Sequence, residues 1–600
     1  MQTIDERFKD ASPRDTVARI QRILEQHGIE VIPSETETGI ANCYSLQLSV
    51  KGAKMLTNGK GINKDLAYAS AYGEFMERLQ SGFLMWKTLP INDSQFFNRE
   101  QLEEYCGPWL REFLHDAVEN EGLPVTYEKL FQACFDAGDD PDKVEVMPLY
   151  NAMSGEMTWF PLHIAKDICS TNGLAAGNSV EEATVQAFSE IIERNYERRF
   201  FSGQEIPPDI PESYLAQYAT AYETICDIRS HGYDVSVKDC SLGKGFPMIA
   251  VVVVDRVSHQ YRVHVGACPV FEIALERCLT EMFQNRYVSQ VFTENALFRS
   301  SGSRSFSDKM RLFVRGEGTF PVEFFTGKPT YSFVPYEDLS KKTNAELVQW
   351  IVAFLKKQGK TLLIRDCSHL GFTTIRLYVP GMSGVFYSDY ADTLPLTHLR
   401  RTAEKCSADL DGATIDQLYE IMLLARYKLS NFQTTRRTSK LSYSGIFDSI
   451  GLELPSKMNQ AYGALSFAYV EWACGNRNVA SHVASAIGGM EGEDEAYLSC
   501  LHHVLTRETK KYSAEQYLQL ISFLYEPQII EAVREGLQAG ENPFRRFLIC
   551  CKEENCQGCV FAPYCSKKKI NEVYNIVAQC SMAYDNAAAF ETIKNMIKAG

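Results

Sequence analysis

The sequence predicts an α/β or α+β domain followed by an all-α region, and three of its features carry that prediction. Between about residues 40 and 390, short β-branched and aromatic runs (YSLQLSV, MIAVVVVDR, YRVHVGA, TLLIRD, TTIRLYVPG) alternate with long amphipathic stretches, which is the signature of strands packed against helices. After about residue 395 the strand signals stop, and LTHLRRTAEKC, QLYEIMLLARYKL, MNQAYGALSFAYVEWAC, AEQYLQLISFLYEPQII and NEVYNIVAQCSMAYDNAAAF read as successive amphipathic helices. Finally, a glycine-rich turn running into a carboxylate-bearing helix occurs more than once, so the first region contains an internal repeat.

These features divide the chain into an N-terminal arm over 1–40, a first domain over 41–395, and a helical domain over 396–600 that holds a cysteine cluster at 550–565. The Ala-rich, Gly-punctuated stretch 457–490 reads as a helix-turn-helix unit of tetratricopeptide-like kind. Six hundred residues, 45% of them hydrophobic, are enough for a large core and for two or three domains. A formal charge of −15 leaves no basic excess to neutralise phosphates, so nucleic acid is not an expected partner. The start MQTIDERFKDASPRD lacks an apolar core behind a basic end, and runs such as FPMIAVVVV are too short to span a bilayer. The expectation is a cytoplasmic protein with no membrane partner, most of whose 18 cysteines are reduced.

The chemistry concentrates in TNGLAAGNSVEEATVQAFSEIIERNYERR, residues 171–199. At 100° per residue, Glu182, Gln186, Glu190, Glu193 and Glu197 fall within about a quarter turn, opposite Val180, Ala183, Ala187, Phe188, Ile191 and Ile192. Ser179 followed by Glu182 has capping-box spacing and sets the helix start. Aligning Glu74, Glu190 and Glu281 puts Asp65, Glu181 and Glu272 nine residues before each, and Ala67, Ala183 and Ala274 seven before. Glu77, Glu193 and Gln284 follow three residues on, and Ser70, Gln186 and Arg277 stand one helical turn earlier. A face that needed only solubility would not repeat Glu-φ-φ-Glu-Arg in GEFMERL and SEIIERN. Carboxylates gathered on facing helices repel one another unless cations compensate. Two readings remain open: ion pairs between packed helices, or a site where the acids hold Mg²⁺ and Arg78, Arg194 and Arg277 meet phosphate oxygens. No G-x-x-x-x-G-K-[ST] loop is present, so such a nucleotide site would work without a P-loop.

The stretches TNGKGINKDLAYASAYGEFMERL, NGLAAGNSVEEATVQAFSEIIER, GACPVFEIALERCLTEMFQNR and CSHLGFTTIRLYVPGMS, with KDASPRDTVAR near the start, resemble the YcaO family of ATP-dependent enzymes that act on peptide backbone amides. The resemblance covers most of the chain and implies an α/β domain with internal pseudo-repeats, ATP and Mg²⁺ as cofactors, and a homodimer. Carried over position by position, it implies Mg²⁺ coordination by Glu74, Glu77, Glu190, Glu193 and Glu281. Nucleotide contacts would come from Lys9, Thr16, Arg19, Ser70, Asn178, Glu182, Gln186, Arg194 and Arg277. Ala175 stands where family members often carry serine, which would omit one nucleotide hydrogen bond. The likeness is greatest to the branch implicated, beside a radical-SAM methylthiotransferase, in β-methylthiolation of a small-subunit ribosomal protein. In the best-understood members an amide oxygen is activated by phosphorylation, which is catalysis by positioning and electrostatics. Azoline-forming members end in a proline-rich tail, whereas this sequence ends IKNMIKAG, an expectation in favour of the ribosomal branch over formation of an azoline, thioamide or amidine in a small peptide. A nucleotide-switched adaptor without catalysis is the alternative from another class. No residue is assigned a catalytic role.

Two further features stand apart. Cys551, Cys556, Cys559 and Cys565 form C-x4-C-x2-C-x5-C, a set of thiols suited to Zn²⁺ or an iron–sulfur cluster. Asp366 and His369 in RDCSHLG follow a strand and read either as an acid/base pair or as capping and core groups.

Overall fold

A computed structural model describes residues 9–292, 320–385, 454–548 and 561–598, apart from short breaks at 54, 86–87, 122–125, 137–139, 202 and 204, with a few positions between, among them Cys406, 412–418, Cys556 and Cys559. The chain divides into two compact units, Met1–Leu394 with Glu572–Gly600, and Pro395–Asn571.

The first unit opens with helix α1 (Pro13–Gln26), started by Ser12, whose side chain accepts from the Asp15 amide, and by a proline in the first turn. Strands β1 (Val31–Thr36), β2 (Tyr44–Val50) and β3 (Leu56–Gly61) form an antiparallel meander. Helix α2 (Lys64–Gln80) follows, capped by Asn63, whose Oδ1 accepts from the Leu66 amide at 2.9 Å. Strand β3 lies so close to α2 that a Cβ on Gly59 would sit 2.3 Å from the Ala67 carbonyl oxygen and 2.4 Å from the Ala71 nitrogen. Only glycine permits that approach.

The same succession recurs later. Helix α6 (Ala219–Ser230) leads into the antiparallel meander β8 (Asp234–Asp239), β9 (Met248–Asp255) and β10 (Gln260–Ala267), and then into α7 (Phe271–Met282). Between the two copies lie α3 (Arg99–Glu121), α4 (Tyr127–Asp136) and the 22-residue α5 (Val180–Phe201). The third sheet runs in the order β4 (Gln95–Phe97), β5 (Val144–Asn151), β11 (Leu363–Asp366), β12 (Thr374–Tyr378), β7 (Leu174–Ala176), with β6 (Met157–Pro161) on β5. Every strand pairing among the described residues is antiparallel. Of the two classes the sequence allowed, the unit is therefore α+β.

Hydrophobic residues of α5, α6, α7, α8 (Asn344–Lys357) and strands β8–β10 form the main core. Ile593 and Met596 of the last helix, α14 (Asn586–Lys598), belong to it. There Gln349 Nε2 donates to the Met596 and Ile597 carbonyls at 3.2 and 3.3 Å. This departs from the expected helical domain over 396–600: residues 572–600 group with the first unit, and Ile593 and Met596 among them are buried in its core.

The second unit contains the helices α9 (Ser456–Ala473), α10 (Ala480–Ile487), α11 (Gly492–Thr506), α12 (Ala514–Ile521) and α13 (Pro527–Gly536) around a core of its own. Its helical character follows from the apolar periodicity. The predicted helices LTHLRRTAEKC and QLYEIMLLARYKL lie almost wholly outside the described residues. No described helix is long and apolar enough to cross a membrane.

Candidate functional site

Helices α2, α5 and α7 bring their acidic faces to one cavity of about 680 Å³, a size typical of small-molecule sites. Of the residues singled out from the sequence, Lys9, Thr16, Ser70, Glu74, Glu77, Asn178, Glu182, Gln186, Glu190, Glu193, Arg194, Arg277 and Glu281 all line it. Arg19 does not. Its guanidinium donates to the Gly371 and Asn178 carbonyls at 3.0 and 3.4 Å and lies 5.1 Å from the centre of the Phe372 ring, itself part of the wall.

One end of the cavity is closed by the N-terminal arm. Glu182, 5% exposed, accepts from Lys9 Nζ at 3.1 Å, from the Asp10 amide at 3.0 Å and from Asn178 Nδ2 at 3.1 Å. Thr16 Oγ1 donates to Asn178 Oδ1 at 3.0 Å. Burial opposes the charge on Glu182, but Lys9 and these donors hold its carboxyl below the usual value. The helix start is the expected one, with Ser179 Oγ accepting from the Glu182 amide at 3.0 Å.

The middle of the cavity alternates acids with guanidiniums. Arg78 Nε lies 3.2 Å from Glu77 and 3.8 Å from Glu74. Arg194 lies 3.5 Å from Glu193 and 3.4 Å from Glu197, and Arg277 lies 3.8 Å from Glu193. Burial raises the carboxyls of Glu74, Glu77 and Glu190 in spite of these cations, Glu77 well above the ordinary value. Glu197, 1% exposed, is pushed up to about 8 by burial, against the pull of Arg194. The acidic face, read either as ion pairs between packed helices or as a metal and phosphate site, is sequestered, with Glu193 only 3% exposed.

Among the described residues, buried Glu193 Oε2, Glu281 Oε2 and Arg277 Nε have no hydrogen-bond partner, an arrangement that leaves acceptors for a hard cation and a donor for an anionic oxygen. The oxygen donor set fits Mg²⁺. No group of three or more His, Cys, Asp or Glu among the described residues converges as a ready-made metal cage. Mg²⁺ characteristically takes one or two protein carboxylates and completes its shell with water and phosphate.

Sequence reasoning missed the far end. Lys60 Nζ sits 2.8 Å from Glu281 Oε1, and His264 Nε2 sits 3.5 Å from Glu281 Oε2. Asn58 and Asn285 also line this end, linked by a hydrogen bond from Asn285 Nδ2 to Asn58 Oδ1. Burial would lift the Glu281 carboxyl, yet Lys60, then His264, hold it well below the ordinary value. The available signal was alternation: Asn58 and Lys60 are two apart on β3, facing away from the glycines that meet α2.

The remaining candidates do not join this site. Cys556 and Cys559 are exposed, Cys565 is half-buried, and Cys551 lies outside the described residues. The described thiols do not gather into a metal-holding group. Asp366 Oδ1 accepts from the Ser368 amide at 2.7 Å and from the Tyr584 hydroxyl at 2.9 Å, as a turn-capping group does. Burial, with Arg365 nearby, lowers the His369 imidazole to about 4.

A family described as YcaO cyclodehydratase, ATP- and Mg²⁺-binding, matches residues 58–383, more than half of the chain. The chain belongs to the YcaO family. Over 567 residues it is 26% identical to the ribosomal protein S12 methylthiotransferase accessory factor YcaO of Escherichia coli, covering 89% of this chain and 92% of that protein. An uncharacterized protein of Haemophilus influenzae is 25% identical over 578 residues, with the same coverage of 89% and 92%. Among solved structures, a heterocyclase in complex with substrate and cofactor is 16% identical, with a TM-score of 0.43 over 62% of this chain and 52% of that one. YcaO from Methanopyrus kandleri bound with AMPPCP and Mg²⁺ is also 16% identical, with a TM-score of 0.38 over 64% of this chain and 94% of that one.

Proposed function

We propose that this protein uses Mg-ATP to assist β-methylthiolation of a small-subunit ribosomal protein, activating a backbone amide or carboxyl oxygen by phosphorylation. The observation that carries the nucleotide part is the convergence of acids and arginines from three separated helices on one cavity. Similarity to the Escherichia coli accessory factor along nearly the whole of both chains supports the ribosomal part.

In this reading Glu74, Glu77, Glu190, Glu193 and Glu281 would hold Mg²⁺, which when bound supplies neutralisation of phosphate charge. Arg194 and Arg277 orient phosphate oxygens, with their guanidiniums already fixed by Glu193 and Glu197. Lys9, Thr16, Asn178 and Glu182 close the nucleotide end, and the low exposure of Glu182 excludes water there. Ser70 and Gln186 supply neutral hydrogen-bonding groups one turn from the acids. Arg19 acts at one remove, bracing Phe372 and the Asn178 carbonyl. The protein would work in the cytoplasm as a homodimer beside a radical-SAM methylthiotransferase, with its helical unit as a tetratricopeptide-like docking surface.

The test is the intact mass of small-subunit ribosomal proteins from cells with and without this chain, with fragmentation to locate a methylthio group. Loss of that increment on one protein, restored by the parent and not by Glu190→Gln, is the expected result. An unchanged mass would overturn the ribosomal assignment. Calorimetry tests the nucleotide site separately: Glu190→Gln and Glu193→Gln should each weaken Mg-ATP binding at least about tenfold, the scale of losing one buried charged ligand, and undiminished affinity would overturn the site.

A further inference from the structure

The end of the cavity formed by β3, β10 and α7 is built differently from its middle. In the middle the acids face guanidiniums at 3.2–3.8 Å, and those guanidiniums are neighbours in sequence or belong to an acid helix. Glu281 instead is bracketed from two different sheets. Lys60 reaches Oε1 at 2.8 Å from β3, and His264 reaches Oε2 at 3.5 Å from β10. Both members of the lysine pair are mostly buried, with side chains 18% and 19% exposed. His264 is 6% exposed, lines the cavity, and its Nδ1 has no hydrogen-bond partner among the described residues. A lysine on a four-carbon stem is a movable point charge, unlike the planar guanidiniums of the middle section.

We infer that Lys60 is a resident counter-ion of Glu281, displaced when a divalent cation takes that carboxylate and thereby released to face the phosphate or acceptor oxygen at this end of the cavity. His264 stands 3.5 Å from Oε2, the carboxylate oxygen that makes no hydrogen bond among the described residues and is open to the cation. The inference rests on the Mg-nucleotide reading of the cavity. Its physical basis is competition: the ammonium and the metal are two cations on one carboxylate, so the lysine weakens binding of the metal alone and strengthens the loaded site by the contact it makes after release.

The lysine's effects on metal alone and on the loaded site have opposite signs, which a merely structural lysine would not produce. Mn²⁺ is the probe, followed by electron paramagnetic resonance with and without a non-hydrolysable ATP analogue. For metal alone, Lys60→Gln should bind about three- to fivefold tighter than the parent, the scale of a partly screened ion pair. Lys60→Arg, which keeps the charge, should behave like the parent. With the analogue present, the advantage of Lys60→Gln should vanish or reverse. In the parent protein, amine-reactive labelling of Lys60, read by peptide mass, should rise severalfold on addition of Mn²⁺ alone. Equal or weaker metal-alone binding by a folded Lys60→Gln overturns the inference, as does labelling of Lys60 that Mn²⁺ leaves unchanged. Absence of Mn²⁺ binding to the parent even with the analogue would instead overturn the Mg-nucleotide reading on which it rests.

Discussion

Replacing Gly59 by alanine tests whether the approach of β3 to α2 positions the site. The added Cβ would stand 2.3 Å from the Ala67 oxygen, 2.4 Å from the Ala71 nitrogen and 2.6 Å from the Ala71 Cβ. Ordinary contact begins near 3.4 Å, so strand and helix must separate by roughly an ångström. The atoms met are backbone and an alanine Cβ, with no rotamer by which to escape. Overpacking of this kind costs about 1–3 kcal/mol, and a rigid backbone contact belongs in the upper half of that range. Near 2 kcal/mol, local opening of β3 and α2 becomes roughly thirtyfold more frequent. The assay is hydrogen exchange by mass spectrometry on peptides covering 56–61 and 64–80. The same shift would move Asn58 and Lys60 relative to Glu74 and Glu77, so Mg-ATP affinity should fall as well. Gly73→Ala in the same helix is the control. Its Cβ meets nothing within 4 Å, and a helix-interior Gly-to-Ala change is worth about 0.5–1 kcal/mol of stabilisation. Parental exchange in Gly59→Ala, or slower exchange in both variants, would refute the reasoning.

Two further outcomes are expected. Glu197 has a folded-state value near 8 against about 4.3 in an unfolded chain, so its contribution to stability is complete below the unfolded value and is lost as pH rises through 8. Melting temperatures measured from pH 6 to 9 should fall more steeply for the parent than for Glu197→Gln, and parallel profiles would contradict the burial argument. Ile593, 0% exposed in the main core, should cost about 2–5 kcal/mol when cut to alanine, read as faster exchange in 586–598. Val257→Ala, at a residue 91% exposed, should stay within about 0.5 kcal/mol, and an equal effect of the two changes would mean that α14 is not packed as described.

Much of the site was legible because a helix converts spacing into a face. Glu182, Gln186, Glu190 and Glu193 share one side of α5 by periodicity alone, and the GEFMERL and SEIIERN repeat singles out α2. The class of the second unit was legible for the same reason. The far end of the cavity was not, because Lys60 and His264 are 204 residues apart on strands of different sheets, and only tertiary packing brings both to Glu281. Arg19, which the resemblance implies as a nucleotide contact, lies outside the lining of the cavity, with its guanidinium on two carbonyls and beside an aromatic ring.

The sequence by itself determined the local chemistry: which segments are helix or strand, where α5 starts, which carboxylates lie on one face, and which family the chain resembles. These depend on period, capping and residue type within a few turns of chain. Tertiary structure alone decided that the sheets are antiparallel, that residues 572–600 join the first unit, and that Glu281 is held by a lysine and a histidine while Glu77 and Glu197 are lifted by burial. Strand direction, burial and charge pairing depend on what packs across long stretches of sequence, and a carboxylate takes its character from the neighbours it meets there.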